Sequence, residues 1–238
     1  MKKHIPNIIT LFNMFFGSSA VVAVLYGYFT EAFLFFIAAG IADYADGFVA
    51  RILNVSSDVG KQLDSMGDMV SFGVFPGAIY YVLLAHYFGE DGFHPGVLVF
   101  AALPAFCVTV FSGLRLAKFN LDTRQTENFI GLPTPAATLL TVGLLTIFYK
   151  NSFGLQDAVT NPYFLLPVIA ILSYLLVSEI PFFSLKFKKF TWKGNEERFS
   201  ILLLSLVLLF ILKEPAFFVV IALYIFFNLM KYVLSVLR

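Results

Sequence analysis

Residues 31–52 have the sequence EAFLFFIAAGIADYADGFVARI, a mostly apolar run of bilayer-spanning length that nevertheless carries two aspartates, Asp43 and Asp46. A spanning helix needs about 20 mostly apolar residues, because each residue adds ~1.5 Å across a hydrocarbon core ~30 Å thick. The rest of the chain has the same character, since 59% of its 238 residues are hydrophobic and 13% are charged. A soluble domain is about 45–50% apolar and about 25% charged. The composition therefore excludes a soluble or disordered chain and predicts an all-α polytopic membrane protein.

The same length rule predicts eight membrane spans along the chain. They cover residues 6–28, 31–52, 62–88, 96–118, 134–149, 162–184, 199–212 and 215–236. The fifth and seventh spans are short, so a count of six or seven stays open. The single cysteine, Cys107, falls in the fourth span, where we expect a buried small side chain.

The basic residues predict the orientation of these spans. With eight spans, only Lys150 and Lys213 of the 16 Lys and Arg residues fall on one side of the membrane. Loops rich in Lys and Arg stay in the cytoplasm. We therefore expect an integral protein of the cell or inner membrane, with both termini in the cytoplasm. An odd number of spans would scatter the basic residues over both sides.

Four aspartates form two pairs with helical spacing. Asp43 and Asp46 are three residues apart, and Asp64 and Asp68 are four residues apart, so each pair shares one helix face. The segment between the pairs, residues 54–60, is polar enough to be a cytoplasmic turn. Two antiparallel helices joined there would point all four carboxylates into one small volume.

Such a cluster is costly inside a membrane unless cations compensate it. One Asp at the centre of a span costs about 2.5–3.5 kcal/mol on insertion scales, and several carboxylates close together repel one another. Carboxylate oxygens suit Mg²⁺, Mn²⁺ or Ca²⁺, whereas Zn²⁺ more often recruits His or Cys. None of the three histidines, His4, His86 and His94, lies in this segment. A lone aspartate could instead pair helices or relay protons, but four at this spacing favour a divalent-metal site.

The residues around the aspartates suit a phosphate group. Gly47 and Ala50 lack bulk, so a phosphate can approach the helix backbone, and Arg51 lies five residues after Asp46 at the depth of the lipid headgroups. The alternative for Arg51 is an anchor whose charged end reaches the interface. Divalent metals held by carboxylates beside an arginine are typical of phosphoryl transfer.

The spacing Asp43-x2-Asp46-Gly47-x2-Ala50-Arg51-x8-Gly60-x3-Asp64-x3-Asp68 resembles the complete signature of the CDP-alcohol phosphatidyltransferase family. The resemblance implies a six-helix membrane core, usually dimeric, that binds two divalent cations, Mg²⁺ or Mn²⁺, with the four aspartates. It also implies that Asp68 deprotonates the acceptor hydroxyl. Gly47, Ala50, Arg51 and Gly60 correspond to family positions that line the CDP site.

Three segments outside the signature, residues 5–13, 115–120 and 131–136, resemble the integral-membrane phosphatidylserine synthases within this family. Residues 64–73, which include the end of the signature, share this resemblance. The narrower resemblance implies CDP-diacylglycerol as phosphatidyl donor, L-serine as acceptor and a cytoplasmic active site. It does not extend beyond residue 185. The expected organisation is thus a transmembrane core at 1–184, a basic cytoplasmic loop at 185–198 and an additional C-terminal hairpin at 199–238.

Polar residues in two of these segments are further site candidates. Asn7, Thr10 and Asn13 recur at three-residue steps on one helix face, where they could bind the diphosphate or form interhelical hydrogen bonds of about 0.6 kcal/mol each. Both interpretations stay open for Asn7 and Thr10, and the interhelical one is favoured for Asn13. Arg115 and Lys118 share a helix face and either bind the carboxylate of serine or anchor the topology.

The sequence leaves two alternative functions open. The acceptor could be another alcohol, such as glycerol-3-phosphate, an inositol phosphate or choline. A phosphorylated acceptor would need an extra cluster of basic residues, for which only Arg115, Lys118 and Arg124 are candidates. A cation transporter would use the aspartates as an ion path, but it would show related halves with broken helices near the midplane. We expect membrane lipid and a second copy of the chain as partners, and no nucleic acid.

Overall fold

The computed structural model describes residues 4–89, 92–122, 128–183, 195–213 and 215–237. Within these ranges the chain forms ten α-helices and two short β-strands. The helices are α1 (His4–Leu25), α2 (Phe29–Leu53), α3 (Asp58–Met69), α4 (Phe75–Phe88), α5 (Cys107–Leu121), α6 (Thr134–Lys150), α7 (Gln156–Thr160), α8 (Pro162–Val177), α9 (Glu196–Leu212) and α10 (Ala216–Val236). The strands are β1 (Asn128–Ile130) and β2 (Pro181–Phe183).

Five of the described helical stretches are long and apolar enough to cross a membrane. They are His4–Leu25, Phe29–Leu53, Asp58–Phe88, Phe100–Leu121 and Ala216–Val236. Two shorter apolar helices, Pro162–Val177 and Arg198–Leu212, coincide with the predicted sixth and seventh spans. The all-α polytopic architecture is confirmed, and the count of eight spans stays a prediction.

Helix α4 lies at the centre of the bundle, because every residue from Phe75 to Ala85 is buried. It packs against α1, α5, α6 and α8. Helices α1 and α2 pack along each other, and α10 packs on α6 while α9 packs on α10. The outward faces of α1 and α2 carry large exposed apolar side chains, including Phe12, Phe15, Leu34 and Ile41. A lipid environment accounts for these faces.

The sixth span is shorter than predicted and ends at Val177 instead of residue 184. Pro181 explains this end, because its ring would clash with the carbonyl of Val177 if the helix continued. The chain instead forms β2, which pairs antiparallel with β1 in the register Asn128–Phe183, Phe129–Phe182 and Ile130–Pro181. The fourth span also begins later than predicted, with a 3₁₀ turn at Phe100–Phe106 that contains Pro104.

Cys107 is exposed, so its predicted burial is wrong: it lies on the outer face of α5.

A π-helical turn, Val70–Val74, joins α3 to α4. Two threonines from other helices bind carbonyl groups of this turn. The Thr138 hydroxyl donates to the Phe72 carbonyl at 3.1 Å, and the Thr109 hydroxyl donates to the Gly73 carbonyl at 2.8 Å. Such turns are rare, and the hydroxyls satisfy backbone acceptors at a place where the regular helix ladder changes.

Candidate active site

The two aspartate pairs lie on helices that are joined by a tight turn, as predicted. Helix α2 ends at Leu53, and the next residue, Asn54, adopts the left-handed conformation with φ 54°. Asn tolerates this conformation better than most residues. Ser57 then caps α3, its hydroxyl accepting a hydrogen bond from the Gly60 amide at 3.0 Å. The turn places the second half of α2, with Asp43 and Asp46, beside α3, where Asp64 lies in the middle and Asp68 near the end.

Three of the four carboxylates converge. Asp43, Asp64 and Asp68 each offer one carboxylate oxygen, and these oxygens lie within 4.8 Å of one another. Mg²⁺ and Ca²⁺ bind oxygen ligands at about 2.0–2.6 Å, so ligands around one cation fall within such a span. One buried oxygen of Asp68, Oδ1, has no hydrogen-bond partner among the described residues. A buried carboxylate without a partner is costly, and a divalent cation would compensate it.

Asp46 lies outside this trio and lines a separate cavity of about 170 Å³ between α1, α2 and α3. Its side chain is only 5% exposed, and its Oδ2 atom has no hydrogen-bond partner in the part of the chain that the structure describes. Asp64 lines the same cavity and so connects it to the trio. We call this space the α1–α3 cavity.

Five of the six residues predicted for the CDP-lipid site line the α1–α3 cavity. They are Asn7, Thr10, Gly47, Ala50 and Gly60. The sixth, Arg51, does not line it: the exposed Arg51 side chain donates from Nε to the Gly47 carbonyl of its own helix at 2.9 Å. A role for Arg51 in binding the donor therefore stays a prediction.

Two glycines of the signature shape this cavity in different ways. A methyl group at Gly60 would lie 2.9 Å from Asn7 Oδ1 and 3.0 Å from the capping Ser57 Oγ, so α1 and α3 approach each other closely here. At Gly47, a methyl group would meet no heavy atom of the described residues within 4 Å. The backbone of α2 is thus open to the cavity at Gly47.

The polar face of α1 contacts the aspartates directly. Asn13 is fully buried, its Nδ2 donates to Asp43 Oδ1 at 3.3 Å, and its Oδ1 accepts from the Ser71 hydroxyl at 2.6 Å. The interhelical role favoured for Asn13 is confirmed. The Thr10 hydroxyl donates to the Pro6 carbonyl at 3.1 Å and lies beside the Asp46 carboxylate. Sequence reasoning missed Ser71, because only the packed helices bring it to Asn13.

The two predicted serine-site residues line a second cavity, of about 320 Å³, which we call the Arg115 cavity. Arg115 is 6% exposed, its Nε donates to the Leu132 carbonyl at 3.1 Å, and its charge acts on Asp68. The guanidinium carbon lies 4.9 Å from the centroid of the Phe119 ring, in a cation–π contact. Lys118 is exposed and donates from Nζ to the Val177 carbonyl at 3.4 Å.

Burial separates the two interpretations of this basic pair. A topology anchor reaches toward the headgroups and stays exposed, as Lys118 does. Arg115 is instead buried and interacts electrostatically with Asp68, and a buried charge is unusual unless it is paired. The position of Arg115 favours a role at the site.

These features define an integral-membrane protein with a carboxylate cluster that fits a divalent cation, close to one end of its helices. Residues 3–178 match the sequence model of the family described as CDP-alcohol phosphatidyltransferase. The chain belongs to the CDP-alcohol phosphatidyltransferase family.

Three curated relatives of the chain are named CDP-diacylglycerol–serine O-phosphatidyltransferase. The protein from Helicobacter pylori (strain J99) is 32% identical over 235 residues, which cover 98% of this chain and 92% of the relative. The Bacillus subtilis protein is 34% identical over 179 residues, covering 75% of this chain and 89% of the relative. The Methanocaldococcus jannaschii protein is 32% identical over 179 residues, covering 75% and 73%.

Proposed function

We propose that the chain transfers the phosphatidyl group of CDP-diacylglycerol to the hydroxyl of L-serine, producing phosphatidylserine and CMP. The observation that carries this proposal is the convergence of Asp43, Asp64 and Asp68 next to the α1–α3 cavity. The names of the relatives support serine as the acceptor.

The four aspartates are proposed to hold two divalent cations, Mg²⁺ or Mn²⁺. Asp43, Asp64 and Asp68 form one group of ligands, and Asp46 and Asp64 face the α1–α3 cavity from two helices. When bound, the cations neutralise the diphosphate and ease the departure of the leaving group. The all-oxygen ligand set supports this assignment. So do Asp46 Oδ2 and Asp68 Oδ1, two buried oxygens that have no hydrogen-bond partner among the described residues.

Asp68 is the proposed general base. Its carboxylate accepts the proton of the serine hydroxyl, and the serine oxygen forms a bond to the phosphorus that carries the diacylglycerol. The bond from this phosphorus to the oxygen of the CMP phosphate breaks, and CMP leaves with the electron pair. The family resemblance supports this role, and Asp68 belongs to the converging trio of carboxylates.

The Arg115 cavity is the proposed site for the carboxylate of serine. An arginine binds a carboxylate with two parallel hydrogen bonds, and Lys118 adds a second positive charge, while Asp122 and Glu179 in the same lining suit the ammonium group of serine. A phosphorylated acceptor would need further basic side chains at this site. The third candidate, Arg124, lies outside the described residues.

The donor lipid is proposed to reach the site sideways from the cytoplasmic leaflet. A mostly apolar groove of about 560 Å³ lies between α2 and α6 and includes Asp43 in its lining. Its walls include Phe36, Ile41, Phe48 and Leu139. A mostly apolar groove that also contacts a proposed metal ligand suits an acyl chain whose head group lies at the metals.

The remaining proposals concern organisation. The basic residues support cytoplasmic termini and a cytoplasmic active site. The family resemblance supports a homodimer and a core at 1–184 followed by a loop at 185–198 and a hairpin at 199–238. Crosslinking in intact membranes would test the dimer, and cysteine labelling from either side would test the orientation.

The reaction is tested by measuring CMP released from CDP-diacylglycerol by the purified protein, with and without L-serine, in Mg²⁺ or Mn²⁺. Release that depends on serine and that EDTA suppresses is the expected result. Release only with glycerol-3-phosphate, an inositol phosphate or choline would contradict serine as acceptor while the family chemistry stands. No CMP with any alcohol would contradict the transferase assignment and reopen the cation-transporter alternative.

A further inference from the structure

The Arg115 cavity is built against backbone that comes from two distant parts of the chain. Ile130 of β1 lines one side, and Val177 and Ser178 at the end of α8 line another. The Leu132 carbonyl accepts the hydrogen bond of Arg115, and the Val177 carbonyl accepts that of Lys118. The position of these carbonyls therefore decides where the two positive charges lie.

Segment 130–132 is held by the end of α8 and by the residues that follow it. The Gly131 amide donates to the Ile180 carbonyl at 2.9 Å, and the Leu132 amide donates to the Leu175 carbonyl at 2.9 Å. Gly131 has φ 78°, and a methyl group there would lie 2.6 Å from the Leu176 carbonyl. The segment thus lies against the end of α8 too closely for a side chain at this position.

The β1–β2 pair has only three residues in each strand, and two such strands are marginally stable without further packing. Helix α10 supplies that packing. The Tyr224 hydroxyl donates to the Phe183 carbonyl at 2.9 Å, and the Phe183 amide donates to Asn228 Oδ1 at 3.0 Å. Asn228 Nδ2 donates in turn to the Tyr224 carbonyl at 2.7 Å. The Tyr224 ring also contacts Phe182 and Phe183, with centroids 5.9 and 5.2 Å apart.

The side chains of Tyr224 and Asn228 are buried. Both residues lie beyond the part of the chain that matches the family model. Tyr224 is 6% exposed and Asn228 is 3% exposed, so neither side chain can replace its hydrogen bonds with bulk water. The family match ends at residue 178, before β2 and α10 begin. The H. pylori relative aligns over nearly the whole chain, whereas the B. subtilis relative covers 75% of it.

We propose that α10 holds the wall of the acceptor cavity in place, with Tyr224 and Asn228 as positioning residues that act through Phe183 and the β1–β2 pair on Arg115. This inference rests on the proposed function, which places the acceptor at Arg115. The C-terminal hairpin would thus affect the binding of the acceptor through the cavity wall, without contacting the acceptor itself.

The test compares Tyr224→Phe, Asn228→Leu and the double variant with the control Tyr232→Phe, which lies two turns further along α10. Loss of one hydrogen bond to Phe183 is expected to raise the KM for L-serine roughly three- to tenfold. The KM for CDP-diacylglycerol should stay at the wild-type value, and so should both constants in Tyr232→Phe. Amide hydrogen exchange at residues 130–132 should become faster in the Tyr224 and Asn228 variants only.

An unchanged serine KM in folded variants would overturn the inference, and so would a parallel rise in both KM values. Unchanged exchange at residues 130–132 would overturn it as well. If the wild-type protein releases CMP only with another alcohol, serine is wrong as the acceptor, and the same variants are measured with that alcohol. A selective rise in its KM would then support the role of α10, and no rise would contradict it.

Discussion

Asn13 on α1 and Asp43 on α2 are joined by a hydrogen bond of 3.3 Å from Nδ2 to Oδ1, which orients one of the three converging carboxylates. The other end of the Asn13 amide is fixed as well, because Ser71 donates to its Oδ1 at 2.6 Å. The side chain thus connects a proposed metal ligand on α2 to the π-helical turn after α3. Groups that orient ligands in this way commonly contribute to metal affinity.

Asn13→Leu is predicted to weaken Mn²⁺ binding about 10- to 100-fold, because Asp43 loses its orienting donor. Titration of Mn²⁺ followed by electron paramagnetic resonance measures this directly. Ser18→Ala is the matched control, because Ser18 lies on the same helix and its hydroxyl is exposed and bonded to its own helix at Met14. Equal Mn²⁺ affinity in both variants would show that Asp43 needs no support from Asn13.

Asp68→Asn is predicted to lower kcat by at least about 100-fold, because general-base catalysis typically contributes 10²–10⁴-fold. The fold and the binding of CDP-diacylglycerol should largely survive, since the amide has the size of the carboxylate that it replaces. Single-turnover CMP release and equilibrium binding of the lipid donor separate the two effects. A near-normal rate in this variant would remove Asp68 from the role of base.

Gly60→Ala is predicted to destabilise the protein by about 1–3 kcal/mol through overpacking, because the new methyl group meets Asn7 and the cap of α3. It should also raise the KM for CDP-diacylglycerol by narrowing the α1–α3 cavity. Thermal unfolding in detergent and initial rates provide the two measurements. In Gly40→Ala, the added methyl group meets no described atom within 4 Å, so this variant should not be destabilised.

Thr109→Val is predicted to cost about 1 kcal/mol of stability, because the Gly73 carbonyl in the π-helical turn loses its donor. Thr160→Val removes a hydroxyl that donates only within α7, to Gln156 and Asp157, and it serves as the control. Denaturant midpoints for both variants test the difference. If Thr109→Val is no less stable than Thr160→Val, the turn does not depend on this threonine.

Much of the site could be predicted because its determinants are local. The spacing of Asp43 with Asp46 and of Asp64 with Asp68 needs only a helical period, and the polar residues 54–60 predict the turn that brings the pairs together. The small residues Gly47, Ala50 and Gly60 follow the same helix faces, and the structure places all three at the α1–α3 cavity.

The rest depends on contacts between residues that are distant in the sequence. Nothing in the local pattern around Ser71, Thr109 or Thr138 indicates that their hydroxyls meet Asn13 and the π-helical turn. The pairing of β1 with β2 joins two loops about 50 residues apart, and three-residue strands give too short a pattern to detect. The predicted place of Arg51 in the donor site was not found for a local reason: its guanidinium donates to the carbonyl four residues back on its own helix.

Because Val70–Val74 form a π-helical turn, the number of residues in this segment determines how the aspartates of α3 are oriented relative to α4. A π turn amounts to one residue more than a continuous α-helix would use, and each α-helical residue rotates the chain by about 100°. Deleting a single residue here would restore an ordinary helix and swing Asp64 and Asp68 away from Asp43 while α4 stayed packed. Natural variants of this protein should therefore accept substitutions between Asp68 and Phe75 far more readily than insertions or deletions.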